Sequence, residues 1–256
     1  STKAKGGDST AVGYQSNANG SMATALGYST DASGSSSLAV GNNTIASGSS
    51  SLAVGNNTTA SSSSSLALGS NTTSSGFSAI AIGNAARATS DNAISIGRSC
   101  SGGAVDSISI GYSAGGGSNS VAVGRGAFSG SNGIAIGKST TSGMYATSVG
   151  YDSHAGGTNA VSLGNASASG ANAIAIGKGT RATSTNSIAI GTEAIVSYAN
   201  STAIGRGAKT TTTNQIVLGT SSTTVYIPGN LVVGRNTYLG ADYAPSIPTR
   251  SPLYIR

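Results

Sequence analysis

The sequence predicts an all-β fold, a parallel β-roll built from coils of 13 or 14 residues stacked along one axis. Three observations predict the roll. First, an aliphatic–small–aliphatic–glycine run recurs from end to end, as in Ser37-Leu38-Ala39-Val40-Gly41, Ser51-Leu52-Ala53-Val54-Gly55 and Ala79-Ile80-Ala81-Ile82-Gly83. Second, the closing glycines keep register: Gly13, Gly27, Gly41, Gly55, Gly69, Gly83, Gly97, Gly111, Gly124, Gly137, Gly150, Gly164, Gly177, Gly191, Gly205 and Gly219. Third, charged residues make up only 8% of the chain, with Gly, Ser, Ala, Thr and Asn in their place. Such a composition also suits a flexible linker, but a linker has no reason to hold aliphatic residues in register. Self-similarity at a short fixed period marks a solenoid, whose coils bury a core only by stacking.

Each coil is numbered here so that its closing glycine is position 14. Position 13 is Val, Leu or Ile in all sixteen repeats, and position 11 is aliphatic in twelve and Thr in four. Position 12 is Ala or Ser in every repeat but the last, which has Val217. Period-two alternation of this kind reads as a short strand. Positions 3 and 5 are small, as at Thr30 and Ala32 or Thr180 and Ala182, and read as an inward-facing second strand. Position 4 carries Asp31, Ile45, Arg87, Phe128, His154 and Lys209, a freedom that marks a solvent-facing site. Glycine at position 14, and often at position 7 (Gly20, Gly34, Gly48, Gly76), suits two tight turns with positive φ.

One coil is therefore strand, turn, strand, turn. At about 4.8 Å per coil, sixteen repeats give a rod of roughly 70 to 75 Å. A 14-residue coil encloses little apolar volume, and backbone ordering alone costs about 1 to 2 kcal/mol per residue. The coils are thus expected to bury further surface between chains. The favoured arrangement puts positions 11 and 13 in each chain's own core and the small positions 10 and 12 against partner chains. The reverse, an all-small interior with the aliphatics between subunits, is the alternative.

The runs Asn119-Ser120-Val121-Ala122-Val123-Gly124 and Asn186-Ser187-Ile188-Ala189-Ile190-Gly191 resemble the head repeats of YadA-like trimeric autotransporter adhesins. The resemblance covers residues 1–219. It implies a left-handed parallel β-roll, three copies of which pack side by side as a homotrimer. No helical neck, heptad stalk or membrane-anchor strands occur in these residues. The ending Asn214-Gln215-Ile216-Val217-Leu218-Gly219 and the segment Val225 to Gly234 resemble the shaft-to-tip region of phage and large-virus tail fibres with the same roll. In such fibres a self-cleaving C-terminal chaperone often follows.

Residues 220–256 lose the period and read as a small β cap, tip or connector. Thr224 to Ile227 and Leu231 to Val233 are expected strands around a Pro-Gly turn. Pro245, Pro248 and Pro252 keep the tail from ordinary sheet pairing.

Motifs for chemistry are weak. Gly137-Lys138-Ser139-Thr140 has the end of a P-loop, but Asn132 stands where the leading glycine belongs. Gly177-Lys178-Gly179 is repeat positions 14 to 2 rather than a dinucleotide fingerprint. Gly102-Gly103-Ala104-Val105-Asp106 does not fit a calcium-binding nonapeptide. His154 is the sole histidine, beside Asp152 on what is expected to be a flat surface, and reads as solvated. Cys100, the sole cysteine, falls at inward position 3 and reads as a buried thiol. Seven Asp and Glu residues are scattered. No enzyme activity, metal, cofactor or nucleic-acid partner is expected. No apolar run approaches the roughly 20 residues of a membrane-spanning helix, and no signal peptide is visible.

Position 1 is the candidate binding surface. It carries Tyr14, Tyr28, Arg98, Tyr112, Arg125, Lys138, Tyr151, Lys178 and Arg206, which stacking would align in a longitudinal row. Such a row either binds glycan or polyanion, or is a hydrated edge whose cations suppress aggregation. The net charge of +6 is compatible with both.

The expected function is the shaft of a trimeric attachment fibre on a virion, whose partners are its own copies, other fibre or virion components, and a host cell-surface glycan or protein. A bacterial trimeric autotransporter head that binds host matrix or glycans at the cell surface is the alternative. An ice- or polysaccharide-binding solenoid is a second. Thr30, Thr44, Thr58 and Thr72 recur as an ice face would need, but at inward position 3.

Overall fold

A computed structural model describes residues 1–229 of the chain. Residues Ser1–Thr223 form one compact unit. Two parallel sheets build it. A sixteen-stranded sheet runs from Thr10–Tyr14 to Ile216–Leu218, and a fifteen-stranded sheet of two-residue strands runs from Lys3–Ala4 to Ile195–Val196. Each coil gives one strand to each sheet, so the chain alternates between the sheets and every strand pairs with its equivalents one coil away. No helix occurs among the described residues. The expected roll is thus present, and it starts one short strand before the first aliphatic run.

Register follows the repeat without slip. Leu38 pairs with Leu52, Leu52 with Leu66 and Leu66 with Ile80. The 13-residue coils keep it too: Ile108 pairs with Val121, and Val121 with Ile134. Ser120 Oγ donates to Gly117 O, three residues back, as Ser37 Oγ does to Gly34 O in a 14-residue coil. The turn closure is therefore intact, and the missing residue comes out of the link between the short strand and that turn.

Burial reverses the favoured core assignment. The position-12 residues Ala25, Ala39, Ala53, Ala122, Ala135 and Ala189 are fully buried. So are Ala23 and Ala79 at position 10, while Ser37 and Ser51 there are 2% exposed. The aliphatics at positions 11 and 13 point out of the roll, with Leu68, Ile134 and Ile136 each about 40% exposed (41%, 39% and 41%). The reason is thickness. Two sheets joined by turns this short leave room inside for methyls and hydroxymethyls, and none for Leu or Ile. Among the described residues, no fully buried side chain apart from Val196 is larger than Thr.

The Asn-Ser-Val-Ala-Ile-Gly run can now be read atom by atom. Asn186 has φ 55°, in the left-handed region that Asn tolerates better than most residues. Ser187 Oγ accepts its place in the turn by donating to Ser184 O. Ile188 and Ile190 face out while Ala189 faces in. Gly191 has φ 122°, and a Cβ there would meet Gly205 C and O at 2.7 Å. Left-handed residues thus sit at positions 2 and 9, such as Asn57 and Ser64, where the sequence supplies mostly Ser, Asn and Asp.

The position-7 glycines have a different cause from the one expected. Gly20, Gly34, Gly48 and Gly76 do not have positive φ; a Cβ on any of them would lie 1.9 to 2.0 Å from a carbonyl oxygen of the next coil. Close backbone approach demands glycine there, not turn conformation. At position 14 both demands coincide. Gly55 has φ 139° and its Cβ would lie 1.7 Å from Gly69 O. Gly55→Ala should therefore cost about 3 kcal/mol or more, the sum of left-handed strain and overpacking. Gly126→Ala, at φ 64° with nothing within 4 Å, should cost far less. Paired urea melts read the difference.

Position-3 hydroxyls knit the coils together. Thr58 Oγ1 donates to Gly69 O at 2.9 Å, Thr72 to Gly83 O at 2.6 Å and Thr180 to Gly191 O at 2.6 Å. The Thr30 and Thr44 hydroxyls at the same position have no partner, but Thr30, Thr44, Thr58 and Thr72 are all fully buried and so form no exposed array for ice.

Beyond the roll, Thr223 N–H closes a turn on Thr220 O at 2.9 Å. Thr224 to Ile227 form no strand, contrary to expectation: Val225 is 50%, Tyr226 83% and Ile227 45% exposed, and no described strand pairs with them. The expected strand at Leu231 to Val233 and the proline tail lie outside the described residues.

Candidate functional surfaces

The sixteen-stranded sheet presents two ladders side by side. Positions 11 and 13 of each coil project outward on either side of the buried position 12, in register along the whole roll. Side chains such as Ile80 and Ile82, Ile94 and Ile96, or Ile174 and Ile176 therefore form two aliphatic rails, the position-13 rail unbroken and the position-11 rail interrupted by Thr10, Thr24, Thr147 and Thr202. Monomeric proteins rarely expose a contiguous apolar strip of this length. This exterior surface is the alternative weighed in the sequence, not the favoured arrangement. Its signal there was the near-constant smallness of positions 3, 5, 10 and 12, which mark the interior.

The position-1 residues are all exposed, as expected, but the row is not continuous. At the N-terminal end Tyr14 and Tyr28 stack with ring centroids 5.2 Å apart and planes inclined by 15°. Asn42, Asn56, Ser70 and Asn84 then separate them from the basic residues, with Asn56 Nδ2 donating to Asn42 Oδ1 at 3.3 Å. Arg98, Tyr112, Arg125, Lys138 and Tyr151 follow on five consecutive coils. The guanidinium of Arg98 lies 4.9 Å from the Tyr112 ring centroid and that of Arg125 lies 5.6 Å from it. Lys138 Nζ lies 5.3 Å from the Tyr151 centroid. Asn165 and Thr192 isolate Lys178 and Arg206 from this block.

Stacking explains the geometry. A parallel coil repeat brings side chains at one position to about 4.8 Å spacing, which suits a flat cation over a ring face. Hydrogen bonding from the Arg98 side chain lowers the Tyr112 phenol below its ordinary pKa, with Ser113 next and the charges of Arg98 and Arg125 adding to it.

Other candidates resolve plainly. Cys100 is fully buried, its Sγ lies 3.0 Å from Ser109 O, and burial pushes its thiol pKa up. His154 and Asp152 lie with Asn165, Ser167 and Arg181 around a shallow, wide-open depression that encloses no pocket. His154 Nδ1 is paired with Thr141 Oγ1, not with Asp152. Among the described residues no cluster of His, Cys, Asp or Glu could hold a metal ion.

A stack of aliphatic-faced parallel coils defines a repeat-built roll of the kind found in adhesin heads. The YadA head domain repeat (2 copies) matches residues 4–30, 18–44, 32–58, 46–72, 74–99, 142–167, 168–194 and 199–223. These spans take in more than half of the sequence, and the chain belongs to the YadA head repeat family. Among solved structures, a crystal structure of the collagen-binding domain of the Yersinia adhesin YadA is similar, at 18% identity over 89% of this chain and 78% of that chain, with a TM-score of 0.21. No curated protein matches the chain. The family match supports the adhesin-head alternative over the viral-fibre reading; nothing in it points to a virion.

Proposed function

We propose that the chain is the head of a homotrimeric adhesin displayed at a cell surface, binding host matrix or glycan without catalysis. The observation that carries the reading is the pair of aliphatic rails on a member of the YadA head family. Each outward Ile, Leu or Val that becomes buried contributes about 1.5 to 3 kcal/mol at most, and twelve of the sixteen coils carry two. Burying them between chains supplies the apolar surface that the all-small interior lacks. The rails lie in register from coil to coil, so a second and third copy placed parallel to the first would meet like residues at like heights, as a rotationally symmetric assembly requires.

Sedimentation equilibrium of the purified chain tests the assembly. A mass of three copies at micromolar concentration is expected. A folded monomer at that concentration would remove the basis of the reading. Beads coated with the assembled chain should then attach to host cells or matrix, and uncoated beads should not.

A further inference from the structure

Five consecutive coils carry Arg98, Tyr112, Arg125, Lys138 and Tyr151 along one line, all exposed. The residues that follow the first four are Ser99, Ser113, Gly126 and Ser139, so the first acidic neighbour is Asp152, at the far end. Arg98 sits on the coil before Tyr112 and Arg125 on the coil after, at 4.9 and 5.6 Å from the ring. The ring holds both guanidinium groups close to it, and Arg98 also hydrogen-bonds the Tyr112 phenol. Lys138 adds a third cation one coil on, 5.3 Å from Tyr151. Three cations thus span three coil steps, about 14 Å along the stacking direction.

We propose that this ladder binds a sulfated linear polysaccharide, laid along the roll axis. A guanidinium edge donates two parallel hydrogen bonds to a sulfate or carboxylate, and orienting it on a ring beforehand reduces the freedom lost on binding. A straight row of cations suits a polymer that carries anionic groups at intervals along an extended backbone. A single-stranded nucleic acid fits less well. It binds by stacking bases on open aromatic faces, and the faces of Tyr112 are taken by Arg98 and Arg125. The site is complete within one chain, so its test is separate from that of assembly.

The probes are immobilised heparin, the same polymer after chemical desulfation, and an oligothymidylate. In about 0.15 M salt the parent should be retained on heparin and bind the other two at least about tenfold more weakly. The triple variant Arg98→Gln, Arg125→Gln and Lys138→Gln should lose about tenfold or more in heparin affinity. Removing the same charge from exposed position 4, by Arg87→Gln, Arg181→Gln and Lys209→Gln, should change it less than about twofold. Tyr112→Leu keeps every cation and should still weaken binding about threefold. Failure of the parent to bind heparin would overturn the proposal, as would equal losses in the two triples, oligothymidylate binding as tight as heparin, or parent-like affinity in Tyr112→Leu. Unchanged circular dichroism in each variant confirms that the fold is not the cause.

Discussion

Ala122→Phe is expected to unfold its part of the roll rather than merely block assembly. Ala122 is fully buried and pairs in register with Ser109 on one side and Ala135 on the other. The interior there holds nothing larger than small side chains, and a phenyl ring has no cavity to enter. Overpacking of this kind costs about 1 to 3 kcal/mol in ordinary cores and more where the two walls are fixed by backbone hydrogen bonds. Thermal melting followed by circular dichroism should show a large drop in midpoint, or loss of strand signal at room temperature. Ala189→Phe, equally buried, should behave alike. Ala122→Ser is the control, because Ser95, Ser109, Ser148 and Ser162 occupy the same position and are fully buried. A Phe variant that kept the parent's melting point but lost its assembly would restore position 12 to the chain interface and overturn the observed inside and outside.

The second large effect concerns the rails. Ile134→Asp together with Ile136→Asp should convert the assembly to a monomer while keeping strand structure. Both side chains point out of the roll, 39% and 41% exposed, so the chain's own interior does not need them. In a parallel trimer the two changes bring six carboxylates to one level of a dry contact, each costing several kcal/mol to bury without a partner. Sedimentation velocity would read the change. If the variant sedimented as the parent does, the rails would face solvent or another partner, and the trimer would be built elsewhere.

Much of this was legible in the residues. The period, the strand at positions 11 to 13 and the short strand ending at position 5 follow from alternation and from the closing glycines. What misled was the usual rule that the larger apolar residues face in. That rule assumes an interior wide enough to hold them, and a coil of Asn42 to Gly55 is too short to make one. The consistent Ala and Ser at position 12 carried the right answer, since only an interior would forbid larger residues in nearly every coil. Turn glycines were located correctly, but Gly34 and Gly48 needed a neighbour's carbonyl to explain them, and that neighbour is a whole coil away. Left-handed Asn and Ser at positions 2 and 9 could have been suspected from their types. In the surface row, the nine positions were readable from the sequence. The pairing of Arg98 and Arg125 about Tyr112 was not, because it depends on the intercoil spacing and on side-chain rotamers.

The hydrogen bonds between coils all point along the roll axis, and they join each coil only to the ones directly above and below. A load that draws the two ends of the chain apart therefore meets the bonds of one terminal coil at a time. Each coil that peels away releases about 14 residues, nearly 50 Å of extended chain, in exchange for about 4.8 Å of stacked height. A tether built from such coils would therefore yield stepwise under a sudden pull, one coil at a time. Its hold on a surface under flow would be governed by how fast coils unpeel from an end as much as by how tightly a ligand is gripped.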